Sequence, residues 1–123
     1  MKRLLAFGLI ACLAPLSAQE VGPASGSLLV VGGGMRDQKI VERFLELAGG
    51  DDAPIVVVPT AGEEDEYGDY WGGLRQFKDA GATRLKVLHT RDRKLADTEV
   101  FVAPLREARG VFFAVGRHWR MAV

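Results

Sequence analysis

Four short apolar runs, each leading into a turn rich in glycine, proline or polar residues, constrain the fold of this chain more than any other feature. They are Leu28-Leu29-Val30-Val31, Ile55-Val56-Val57-Val58, Leu85-Lys86-Val87-Leu88 and Gly110-Val111-Phe112-Phe113-Ala114-Val115. Runs of this length that do not alternate with polar residues suit strands buried on both faces, as in a parallel sheet covered by helices. The segments between them read as helices. From Gln38 to Ala48, residues Ile40, Val41, Phe44, Leu45 and Ala48 recur at three- and four-residue spacing and make one apolar stripe, which Gly49-Gly50 ends. The spacing of Tyr67, Tyr70, Trp71, Leu74 and Phe77 predicts a helix over 65–80, interrupted by Gly72-Gly73 and closed by Gly81. A third helix is predicted over 97–108, opened by an Asp or Thr cap, and another begins at Arg117.

Strand and helix therefore alternate, which predicts right-handed crossovers and an α/β fold: an open, mainly parallel sheet with helices on both faces, cut short after the fourth strand. At 123 residues the chain is one domain. Its sixteen basic and sixteen acidic side chains leave no net charge, and without a basic excess there is no electrostatic footprint for nucleic acid.

Residues 1–18 read as a signal peptide. Met1, Lys2 and Arg3 form a positive head, Leu4 to Leu13 an apolar stretch too short to span a membrane, and Pro15-Leu16-Ser17-Ala18 a cleavage region. Cleavage after Ala18 would leave a flexible lead-in over 19–26 and a folded part over 27–123, exported to the periplasm or the medium. In the alternative reading, Leu9-Ile10-Ala11-Cys12 is a lipobox and Cys12 carries a lipid anchor. Cys12 is the sole cysteine, so no disulfide supports the folded part.

Residues able to carry chemistry are few. Gly32-Gly33-Gly34 follows the first run, where backbone amides can face an anion or simply allow a tight turn. Asp37 stands where the dinucleotide fingerprint needs its third glycine. Glu63-Glu64-Asp65-Glu66 and Asp69 form an acidic cluster with no calcium-loop spacing, which reads as a solvated face near a helix start. His89 and His118 have no cysteine partners and make no zinc pattern. His89 is placed at a strand end, and His118 beyond the fourth strand, where open α/β sheets bind ligands. No metal or cofactor is expected. The only serines are Ser17, Ser25 and Ser27, none on a strand-to-helix elbow. Thr60, Thr83, Thr90 and Thr98 show no general base beside them in the sequence.

From Gly26 to about Arg120 the chain resembles part of a cyanophycinase-like serine peptidase of the S51 group, related to dipeptidase E. The stretches that carry the resemblance are 26–34 (GSLLVVGGG), 40–50 (IVERFLELAGG), 55–61 (IVVVPTA) and Gly110-Val111-Phe112-Phe113. The resemblance implies a flavodoxin-like, class I glutamine amidotransferase-like sheet, and hydrolysis of aspartyl linkages of the β-aspartyl-arginine type by a Ser, a His and an acid. It gives none of those three a matching position here, so the chain alone is expected to be inactive. After the fourth run the family reads Thr-Gly-Gly, then a polar residue and Gln, whereas this chain reads Ala114-Val115-Gly116-Arg117-His118. The resemblance implies that the Gly116 amide helps hold the oxyanion, with Gly33, Gly34 and His118 contacting a peptide or isopeptide substrate. The other function considered is a small exported binding module that holds an anionic ligand at the glycine-rich loops. In either case an exposed sheet edge is expected to favour self-association.

Overall fold

The computed structural model describes residues 25–32 and 34–122. The expected signal peptide, Cys12 and Gly33 lie outside those residues. A three-stranded parallel sheet is at the centre, formed by β1 (Ile55–Val58), β2 (Leu85–Val87) and β3 (Gly110–Phe113) in the order β2-β1-β3. Ile55 is level with both Leu85 and Gly110, and Val57 with both Val87 and Phe112. β1 is thus paired along both edges, and its first three residues are buried. The sheet is the predicted α/β arrangement, with one strand fewer among the described residues.

The missing strand is the run at 28–31, which joins no ladder. Leu28 and Val30 are 88% and 83% exposed. The run lies in a groove it shares with Gly110, Val111, Phe112 and Phe113, so it borders β3 without exchanging strand hydrogen bonds with it. In the order β2-β1-β3 the outer edge of β3 pairs with no strand among the described residues, so the run borders an available edge without joining it, and apolar composition does not by itself make a strand.

One face of the sheet carries the core. Helix α1 (Gln38–Ala48) is capped by Asp37, whose carboxylate accepts the Lys39 amide at 3.0 Å. It ends at Gly49, held at φ 112° while its amide donates to the Glu46 carbonyl. Val41, Leu45 and Ala48 point from α1 into the cluster formed by Ile55, Val57, Val87, Leu74 and Phe77. Three rings meet edge to face: Phe44 to Phe77 at 6.1 Å, Phe44 to Phe112 at 6.0 Å and Phe77 to Phe112 at 5.1 Å. Gly110 lets α1 approach β3 this closely, because a Cβ there would stand 2.8 Å from the Ile55 Cδ1 and 2.9 Å from the Phe44 ring. On the opposite face, Val58 and Phe113 look across a cleft at Phe101, Val102 and Leu105 of α4 (Glu99–Glu107).

The helix predicted over 65–80 is helical only near its end, as a 3-10 turn at Gly72–Leu74 leading into α2 (Arg75–Asp79). Gly68, Gly72 and Gly73 weaken the helical option. Tyr67 and Trp71 stack edge to face at 5.2 Å instead. The acidic residues before them consequently sit in a loop and not at a helix start. The helix predicted over 97–108 is α4 alone, capped by the Thr98 hydroxyl. A separate turn, α3 (Arg93–Ala96), is capped by Asp92. The helix expected from Arg117 is a single 3-10 turn, His118–Met121. Among the described residues no helix is long and apolar enough to cross a membrane.

Phe77 is fully buried and touches both α1 and β3 through its ring contacts. Phe77→Ala should destabilise the fold by about 3–5 kcal/mol, measured by chemical denaturation.

Candidate functional site

Parallel strands present their carboxyl ends on one side, so the loops after β1, β2 and β3 emerge together. The loop after β1 turns tightly at Pro59-Thr60-Ala61-Gly62, with the Gly62 amide donating to the Pro59 carbonyl at 2.7 Å. The segment after β3 docks on that turn: the Arg117 amide donates to the Ala61 carbonyl at 2.7 Å, and the Arg120 guanidinium donates to the Gly62 carbonyl. Gly116 is where the two backbones come closest. A Cβ at this position would lie 2.2 Å from the Ala61 oxygen, so only glycine fits.

The loop after β2 contributes His89, at the strand end where the sequence places it. Its Nε2 stands 3.1 Å from the Asp65 carbonyl and its Nδ1 stands 3.0 Å from the Thr60 hydroxyl. A carbonyl oxygen can only accept, so in the neutral imidazole Nε2 carries the proton and Nδ1 accepts from Thr60. The Tyr67 ring packs edge-on against the imidazole at 4.8 Å, and its hydroxyl accepts the Glu64 amide at 3.1 Å. Arg91 donates to the carbonyls of Glu64 at 2.6 Å and Gly62 at 3.3 Å. The Arg91–Asp65 and Arg117–Glu63 ion pairs are largely solvated and add little. Beside this hydrogen-bonded rim opens the cleft between the sheet and α4, about 700 Å³ in volume, lined by Thr60, Arg91, Phe101, Leu105, Phe113 and Trp119 among others.

The residues expected to form a substrate site fare unevenly. Gly116 is built into the rim through its contact with Ala61. His118 is exposed at the start of the last 3-10 turn. Gly34 is held at φ 83° with open space where a Cβ would point, so it serves as a left-handed turn residue. The carboxylates of Glu63, Glu64, Asp65 and Glu66 are exposed, and among the described residues no group of three or more His, Cys, Asp or Glu could hold a metal ion.

Thr60 and His89 form a pair that sequence reasoning missed: contrary to expectation, one threonine has a base beside it. They are 29 positions apart. The available signal was their placement: each lies two residues past one of two neighbouring parallel strands.

Comparison with known proteins agrees with the resemblance seen in the sequence. The chain is 32% identical over 99 residues to a cyanophycinase of Geminocystis herdmanii, covering 77% of this chain and 36% of that protein. It is 32% identical over 101 residues to a cyanophycinase of Synechococcus elongatus, covering 79% of this chain and 31% of the relative. It is also 29% identical over 100 residues to a cyanophycinase of a Nostoc species, covering 77% of this chain and 33% of that protein. This chain is a relative of the cyanophycinases. It spans about a third of the length of the curated cyanophycinases it matches. No protein-family model and no solved structure matches it.

In this cyanophycinase relative the Gly116 contact is the most exacting feature of the rim. Gly116→Ala should force the loops after β1 and β3 apart and cost about 1–3 kcal/mol in a denaturation series. Gly32→Ala has no atom within 4 Å of the added methyl and no left-handed φ, so it should stay within about 0.5 kcal/mol of wild type in the same series.

Proposed function

We propose that this chain is part of an exported cyanophycinase-type serine peptidase, which hydrolyses aspartyl linkages of the β-aspartyl-arginine type through an acyl-enzyme. The observation that carries this reading is the 32% identity over 99 residues to a protein described as a cyanophycinase. The convergence of three strand-end loops on one side of a parallel sheet supports it, since that is where such sheets hold their ligands.

Within the reading, the roles divide by what each residue offers. The Gly116 amide is one donor to the oxyanion of the tetrahedral intermediate, a task that uses backbone N–H and not a side chain. Gly33, Gly34 and His118 contact the peptide or isopeptide substrate. Ser25 and Ser27 precede α1 and stand on no strand-to-helix turn, so the nucleophilic serine comes from outside this chain, and the resemblance gives its histidine and its acid no matching position here. The 123 residues alone therefore do not hydrolyse the β-aspartyl-arginine linkage. Export proceeds by cleavage after Ala18.

The test assays release of soluble dipeptide from insoluble β-aspartyl-arginine polymer. The purified 123-residue chain should release none, and a species from the source cells' exported fraction whose peptide map contains residues 26–120 should release it. Release by the isolated chain would overturn its inactivity. No release by any species containing these residues would overturn the peptidase reading itself.

A further inference from the structure

We propose that Thr60 is an activated nucleophile, with His89 as its base, able to take an acyl group from a small ester bound in the cleft between the sheet and α4. Three observations carry this. The Thr60 hydroxyl is 3.0 Å from the His89 Nδ1, and the Asp65 carbonyl at 3.1 Å from Nε2 fixes the tautomer in which Nδ1 accepts. Nucleophile, base and orienting group thus stand in sequence, the arrangement that activates a hydroxyl. The imidazole is also held in plane from the side, by the Tyr67 ring at 4.8 Å.

The third observation is access. Thr60 is half-buried, and it lines the cleft of about 700 Å³. Leu88, Phe101, Leu105 and Phe113 give that cleft an apolar wall suited to a short acyl chain, while Arg91 and Arg120 bring positive charge to it.

The step balances within the residues and the ester. Thr60 Oγ1 bonds to the ester carbonyl carbon as its proton passes to His89 Nδ1, and the carbon–oxygen bond to the leaving alcohol breaks. The alcohol departs with that proton, leaving an acyl-threonine and neutral His89. Water then attacks the acyl carbon as His89 Nδ1 takes its proton, the bond from that carbon to Thr60 Oγ1 breaks, and the proton passes from His89 to Oγ1, releasing the carboxylic acid and restoring the Thr60 hydroxyl. The imidazolium formed in each half is stabilised by the Asp65 carbonyl it already faces. The inference stands on this geometry and not on the peptidase reading.

The probe is p-nitrophenyl acetate with the full chain, read by peptide mapping of the trapped protein. One acetyl group should appear on Thr60 as a hydroxylamine-labile ester, which separates it from acetylated lysine. Thr60→Ser should retain labelling at that position, Thr60→Val should abolish it, and His89→Asn should slow it at least 10-fold, with thermal melts checking that each variant folds. Acetyl groups confined to lysines, His118 or the N-terminus in the folded wild type would overturn the proposal. Labelling of Thr60 at an unchanged rate in folded His89→Asn would overturn the role of the base.

Discussion

The structure depends on the pairing of β1 along both of its edges. A four-residue strand has few hydrogen bonds to offer, and one paired on a single side would leave half of its backbone groups without a ladder partner. Here Ile55, Val56 and Val57 align with β2 on one side and β3 on the other, so these three β-branched residues are buried and satisfied together. That double pairing sets the face on which α1 and α2 pack, and it sets the end at which the connecting loops emerge.

From this arrangement the rim follows with little further choice. Strand ends that are neighbours in the sheet bring Thr60 and His89 within hydrogen-bonding distance although 29 residues separate them. The segment after β3 arrives on the other side of β1 and closes on Ala61 and Gly62. The chemistry available at the rim is therefore a product of strand order and not of any contiguous motif. The sequence identity to cyanophycinases extends over some hundred residues of this chain.

Much of the fold was legible in the sequence because its strongest elements agree at several levels. The run at 55–58 is β-branched and bounded by prolines, and α1 joins an apolar stripe to a Gly-Gly stop; both elements form as read, and the structure adds the Asp37 cap. The run at 28–31 carries the same composition signal but joins no ladder, and composition cannot report pairing. The helix expected over 65–80 failed for a different reason. Its glycines made the helix weak, and aromatic contacts between Tyr67, Trp71 and His89 offered the segment a better use of its rings. His89 was visible as a strand-end residue, and Gly116 was marked out by the family resemblance; the distance between Thr60 and His89 depended on a strand order that periodicity does not encode.

The loop from Ala61 to Asp65 is held almost wholly by its backbone carbonyls: Ala61 receives the Arg117 amide, Gly62 the guanidiniums of Arg91 and Arg120, Glu64 that of Arg91, and Asp65 the imidazole of His89. Its shape is thus written in residues that lie elsewhere in the chain. Glu63, Glu64, Asp65 and Glu66 can diverge among descendants of this sequence, changing the charge displayed beside the cleft, while the path of the loop stays the same.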